Sequence, residues 1–211
     1  MVTAYRGPCT QASQYLANLK RTTMEALARN HYAQTDERNP VDCSLFYLAL
    51  KKKPILAGLW RTAGWHKEQS AMLKFLGNDF GEMRWRTAAS KNAYALLAKQ
   101  RYGMFQIYRP LTLEYAAAFF LLADSLKDAV NICLRNLKDY QLAVAIARVY
   151  EGDHGPVLAQ VIDDYILPEA VEKGDRWFAS WAFWMRGERG KSVQALIVSE
   201  WMFTANRIAT A

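Results

Sequence analysis

The chain has 211 residues, of which 52% are apolar and 13% aromatic, and it carries a formal net charge of +7. That apolar content excludes a disordered tail and suffices for one packed domain or one stretch of a larger helical array. Cys9, Cys43 and Cys133 never fall in a CxxC pair, which argues against a disulfide framework or a zinc site and for a reducing compartment. No uncharged apolar run nears the roughly 18 residues of a membrane span, so the chain is read as soluble and cytoplasmic, meeting membranes only through partners. The charge is uneven: residues 1–110 hold seventeen Lys/Arg against seven Asp/Glu, and residues 111–211 hold ten against thirteen. A basic half attracts acidic proteins, nucleic acid or anionic lipid, and its sign alone does not choose among them.

In chain order, the apolar spacing predicts helices over Gln11 to Asn30, Asp42 to Leu50, Ile55 to Thr62, Lys67 to Leu76 and Glu82 to Arg101. From Ser125 to Leu137, one stripe collects Leu126, Val130, Cys133, Leu134 and Leu137. Ser125 with Asp128 reads there as a variant capping box, the serine oxygen accepting an orphan backbone N–H. The next helix starts near Asp139, presents Leu142, Ala145, Ile146, Val149 and Tyr150, and stops at Gly152, a left-handed C-terminal cap. Pro156 opens another, with Val157, Leu158, Val161, Ile162, Tyr165 and Ile166, which Pro168 kinks or breaks before Gly174. Asp175 caps the following helix, whose stripe of Trp177, Phe178, Trp181, Trp184 and Met185 is expected to be core. On that reading, Trp177→Ala or Trp181→Ala costs roughly 3–5 kcal/mol. Gly187 to Gly190 turns into a last helix, and no stretch alternates with period two. The expected fold class is all-α: an α-solenoid-like array of antiparallel helix hairpins joined by short turns, with no tetratricopeptide signature spelled out.

The sequence offers no catalytic, cofactor-binding or metal-ligating set. Gly190-Lys191-Ser192 copies the end of a phosphate loop, but Met185 stands where GxxxxGK[ST] needs its first glycine, and a Trp-rich helix precedes instead of a strand. His31, His66 and His154 are far apart, with no HxxxH spacing. Asp163, Asp164, Glu169, Glu172 and Asp175 read as a solvated helical face. With no GxSxG elbow and no Cys–His pairing, the chain is expected not to be an enzyme and to need no cofactor. The candidate partner surface is basic: Lys51, Lys52 and Lys53 before Pro54, Arg61, and Arg84 and Arg86 on either side of Trp85. Such groups can meet phosphates, but they also suit a charged helix-helix turn and a core indole whose arginines reach solvent or acidic neighbours. No helix-turn-helix, RNP or zinc-finger pattern accompanies them, so nucleic acid is an alternative and not the expected partner.

Several longer strings are more specific. Ser44 to Lys53, Gly58 to Arg61, Met72 to Leu76, Arg84 to Ala89, Ala116 to Val130, Ala145 to Asp153 and Gly174 to Trp177 follow in fixed order. Together they resemble the helical region of the RAVE complex large subunit, the rabconnectin or DmX-like family. The resemblance runs over about Val41 to Val198 and divides the chain into an N-terminal helical extension (1–40), a RAVE large-subunit-like helical domain (41–198) and a tail (199–211) that departs from the family. It implies a non-catalytic scaffold promoting assembly of the vacuolar-type proton ATPase, and so vacuolar and endosomal acidification. The implied partners are the soluble sector of that ATPase, the small RAVE subunit and an SKP-type adaptor. Full-length members carry β-propellers ahead of this region, so the resemblance covers part of the family architecture. The alternatives are a basic helical module binding nucleic acid and a generic trafficking-coat solenoid.

Within the resembling region, His154 stands where the family has a further acidic residue. Gly103 to Leu113 interrupts what would read Arg101-Tyr102-Glu-Tyr115-Ala116. The insert can be spelled with splice donor and acceptor codons and is read as translated intron. It is expected to be an exposed loop, so that joining Tyr102 to Glu114 preserves the fold.

Overall fold

The computed structural model describes the backbone of residues 8–101 and 109–197, and among these every regular element is helical. The all-α expectation is met. The chain divides into two compact units, Met1–Leu142 and Ala143–Ala211.

The first unit contains α1 (Pro8–Ala33), α2 (Pro40–Ala49), α3 (Lys53–Thr62), α4 (Gln69–Leu76), α5 (Met83–Arg101), α6 (Arg109–Leu122) and α7 (Leu126–Asn131). The last runs on as the π-helical segment Ile132–Leu137. Asn39 caps α2 by accepting a hydrogen bond from the Val41 N–H at 3.0 Å, and Pro40 occupies the first turn. Asp42 to Ala49 are all buried, so α2 is apolar nearly all round and serves as a central element, packed against α1, α3 and α6. Its buried hydroxyl is satisfied, since Ser44 donates to the Pro40 carbonyl at 2.7 Å. The hairpin of α5 and α6 closes over Ala89, Ala93, Ala116 and Ala117, all fully buried. Residues this small let two helix backbones approach and pack at high density.

Two expectations in this unit are corrected. Ser125 makes no side-chain cap; its hydroxyl donates to the Asp128 carboxylate at 2.6 Å, because an ionised oxygen is the stronger acceptor. Residues 109–113, expected within an exposed loop, are the opening turns of α6, with Leu113 buried. Pro110 suits a first turn, and Leu113 continues the stripe of Ala117 and Phe120 at i+4 and i+7. Removing Gly103 to Leu113 therefore takes away a buried side chain and a helix start, and a fold-neutral deletion no longer follows. Residues 103–108 lie outside the described residues.

The helix α8 (Tyr140–Tyr150) contains the division between the units. It starts where Lys138 adopts φ +59° and Asp139 accepts a hydrogen bond from the Leu142 N–H at 2.9 Å. The second unit continues with α9 (Pro156–Val161), the π-helical segment Ile162–Ile166, α10 (Leu167–Lys173), α11 (Arg176–Met185) and α12 (Arg189–Ile197). Gly152 takes φ +97° after α8 and Gly174 takes φ +64° after α10, the left-handed geometry that spares only glycine a steric cost. Pro168 sits in the first turn of α10, directly after the π-helical break. Asp175 caps α11 as expected, accepting from the Phe178 N–H at 2.9 Å.

The aromatic stripe of α11 is not core. Trp177 is 77% exposed and Trp184 58%, while Phe178 and Trp181 are half-buried and stacked at 5.8 Å. The buried residues are instead Ala179, Ser180, Ala182 and Phe183. The reason is close approach: α11 meets α12 through small residues, with the Ser180 and Ser192 hydroxyls hydrogen-bonded at 3.0 Å, and no indole fits between them. Gly190, Lys191 and Ser192 lie inside α12, and Ser192 is buried, so this stretch forms no phosphate-cradling loop.

Candidate partner-binding surface

The six basic residues singled out from the sequence fall into three places in the first unit. Lys51, Lys52 and Lys53 form the α2–α3 turn, where Lys51 takes φ +59° and its N–H bonds to the Leu48 carbonyl at 2.9 Å. Lys52 pairs with Glu25 of α1, and this hydrogen bond holds the Glu25 carboxyl below its usual range. Lys53 donates to the Asn78 carbonyl at 2.8 Å and sits 5.1 Å over the Phe80 ring. Arg86 of α5 reaches the connection between α4 and α5, donating to the Phe80 carbonyl at 2.7 Å, and pairs with Asp124 at 3.4 Å. Lys53 and Arg86 thus clamp the α4–α5 connection from two sides. A helix rise of 1.5 Å per residue puts Arg61, in the last turn of α3, about 12 Å from Lys53.

Of the set, Lys51, Arg61 and Arg84 are exposed, and the Arg84 guanidinium lies 4.8 Å over the Trp85 ring. A guanidinium stacked in this way stays planar and partly ordered with its donors open to a carboxylate. Two large apolar residues that the sequence reading did not single out are also exposed. Trp65 is half-exposed and Met83, next to Arg84, is largely exposed. The signal for Met83 was its place ahead of the buried stripe of α5, six residues before Ala89 and ten before Ala93 mark which face is covered. The neighbouring rings pack on one another: Phe75 meets Phe80, Trp85 and Phe119 with ring centroids 5.3, 6.5 and 5.8 Å apart.

In α6 lies an acidic group that sequence reasoning missed. Burial pushes the Glu114 carboxyl up to about 7, and the charges of Asp42 and Asp139 add to the shift. Its Oε2 is shielded from solvent and has no hydrogen-bond partner. Asp42 is also raised, chiefly by burial. Cys43 and Cys133 are buried thiols, each pushed up to about 12 mainly by desolvation. A thiol held in that form is a poor nucleophile and a poor metal ligand. Among the described residues, no group of His, Cys, Asp or Glu has the arrangement of a metal site, and no helix is long and apolar enough to cross a membrane.

Of the six basic residues, Lys52, Lys53 and Arg86 are thus engaged within the fold, while Lys51, Arg61 and Arg84 are exposed. The family described as RAVE protein 1 C terminal matches residues 14–210, a span that takes in most of the stretches before Val41 and after Val198. The chain is 48% identical over 171 residues to "Regulator of V-ATPase in vacuolar membrane protein 1" of Schizosaccharomyces pombe, covering 81% of the chain and 12% of that protein. It is 45% identical over 175 residues to the protein of the same name in Saccharomyces cerevisiae, covering 83% of the chain and again 12% of the relative. DmX-like protein 1 of Mus musculus is 41% identical over 137 residues, covering 65% of the chain and 4% of the relative. The match thus spans about an eighth of the two fungal relatives, and the chain belongs to the RAVE protein 1 C-terminal family.

Proposed function

We propose that this chain is a non-catalytic helical scaffold of a RAVE large subunit, serving assembly of the vacuolar-type proton ATPase from the cytoplasmic side of vacuolar and endosomal membranes. The observation that carries the reading is the 48% identity to a protein named as a regulator of that ATPase. The helical array and the outward Arg61 and Arg84 support it, because an assembly factor needs a rigid surface with open donors more than a reactive cleft. The partners proposed are the soluble sector of the ATPase, the small RAVE subunit and an SKP-type adaptor, with Lys51, Lys52, Lys53, Arg61, Arg84 and Arg86 on or next to the contact surface. Membrane association then follows through these partners.

The test is binding of the purified chain to each of the three partners by calorimetry. At least one should bind, and Arg61→Ala with Arg84→Ala should weaken it without lowering the melting temperature. Absence of binding to all three at about 50 μM, which is weaker than about −6 kcal/mol, overturns the reading. So does ATP hydrolysis by the chain that Lys191→Ala abolishes. A basic module for nucleic acid would instead lose affinity with a slope near roughly −0.9 per phosphate in log K against log salt.

A further inference from the structure

In the second unit, α11 turns its two bulkiest exposed side chains to solvent, and nothing in the function above uses them. Trp177 and Trp184 are seven residues apart, which places them on one side of the helix about 10 Å from each other, with Trp181 half-buried between them. A scattered exposed apolar residue needs no explanation, but two open tryptophans two turns apart on one helix make the kind of patch that marks an interface.

The charges around this stripe are distributed unevenly. After the turn Arg186 to Glu188, α12 runs back along α11, with the hydrogen bond between Ser180 and Ser192 setting the register. Arg176 therefore marks the Trp177 end, and Arg189 marks the Trp184 end, where its guanidinium lies 5.6 Å over the indole. Arg186 and Lys191 on the same hairpin are paired, with Asp163 at 3.0 Å and Glu188 at 2.9 Å. Among the described residues, Arg176 and Arg189 have no carboxylate at ion-pair distance. The cations left open are the two that bracket the tryptophans.

We propose that this face binds a short acidic amphipathic helix of a partner protein. Its apolar stripe would lie over Trp177, Trp181 and Trp184, and a carboxylate near each end, about two turns apart, would meet Arg176 and Arg189. A second copy of this chain fits poorly, because a two-fold pairing of the same patch sets arginine against arginine. The chain's own residues 198–211 contain one acidic residue, Glu200, and one basic residue, Arg207, so they do not offer the two carboxylates. The proposal concerns the second unit and stands whether or not the first unit's basic surface meets the ATPase.

The test uses the full 211-residue chain and two labelled helical peptides of about fifteen residues. Both carry the same leucine stripe; one has two glutamates seven positions apart, and the other has lysines there. Fluorescence anisotropy should show the acidic peptide binding at least about tenfold tighter. Trp177→Ser and Trp184→Ser should each weaken it by about tenfold or more at unchanged melting temperature. The Arg176→Glu, Arg189→Glu double variant should transfer the preference to the lysine peptide, an outcome that loss of folding cannot imitate. Equal binding of both peptides, or binding indifferent to the tryptophans, overturns the proposal. Sedimentation showing a dimer that Trp184→Ser dissociates overturns it in favour of a second copy. Hydrogen exchange showing amides 198–211 protected in the wild type and released by Trp184→Ser overturns it in favour of the chain's own segment.

Discussion

Replacing Glu114 by Gln is expected to stabilise the chain above neutral pH and to change little near pH 4.5. In the folded first unit the Glu114 carboxyl is raised from 4.5 to about 7, by burial first and then by Asp42 and Asp139. Unfolding removes both causes, so the unfolded glutamate ionises near its usual value. Between those two pH values the folded protein keeps a proton that the unfolded chain has lost. Stability therefore falls as pH rises, starting near 4.5 and levelling off above about 7. At 1.36 kcal/mol per pH unit the full shift corresponds to at most about 3.4 kcal/mol, and because Glu114 is only partly buried, screening by water reduces the expected effect to about 2 kcal/mol. Glutamine keeps the shape of the protonated acid and never ionises. Urea unfolding followed by tryptophan fluorescence at pH 5, 6, 7 and 8 measures the difference between the two proteins. It should grow from near zero to about 2 kcal/mol in favour of the variant, with most of the change between pH 5 and 7. A difference that is constant across pH, or that grows toward acid, refutes the reasoning, since neither follows from a raised carboxyl. Asp42 titrates in both proteins in the same direction and largely cancels.

Three further outcomes are expected. Trp60 is fully buried in α3, edge-on to His66 at 4.9 Å, so Trp60→Ala should cost about 3–5 kcal/mol while Trp177→Ala costs less than about 0.5 kcal/mol in the same denaturation assay; comparable costs would contradict the assigned faces. Cys43 and Cys133, whose thiols are buried and raised to about 12, should resist a thiol reagent at pH 8 in the native chain and label fully in guanidinium, as peptide mass spectrometry can locate. Asp175→Ala removes the cap on the Phe178 N–H and should lower stability by about 1 kcal/mol, with Asp175→Asn restoring most of it.

The elements that sequence made legible are those whose signal is local. Asp175 followed by a helix, Gly152 and Gly174 after helices, and proline in a first turn each reflect chemistry contained within four or five residues, and the structure has them where the pattern places them. The aromatic stripe of α11 was legible as a stripe but not as a face. Periodicity says that Trp177, Trp181 and Trp184 share a side; which side is covered depends on what approaches, and Ala179, Ser180 and Ala182 admit α12 where indoles would hold it away. Ranking residues by hydrophobic size therefore inverted the answer. The Glu114 environment was illegible for a related reason. Its neighbours Asp42 and Asp139 come from α2 and from the residue just ahead of α8, and a carboxylate in a run such as Thr112 to Ala116 carries no mark of burial by itself.

The basic half of the chain shows what such distance effects do to a reading of charge. Its excess of cations suggested a basic surface for a partner to meet, yet Lys52, Lys53 and Arg86 are engaged within the fold. Lys52 and Lys53 reach partners 27 and 25 residues away, and Arg86 reaches from α5 to Asp124 after α6. The two ion pairs, Lys52 with Glu25 and Arg86 with Asp124, are partly exposed and screened by water, and Lys53 donates to a backbone carbonyl, so none of these ties holds the unit together alone. What they share is direction: each joins a turn to a helix that is not its neighbour along the chain, which apolar stripes on successive helices do not do. A cation used in this way offers a partner little, because its donors are already committed, whereas Arg61 and Arg84 keep theirs open. The two groups should therefore separate experimentally, neutralisation of the first shifting the melting temperature and neutralisation of the second shifting only the affinity and its salt dependence.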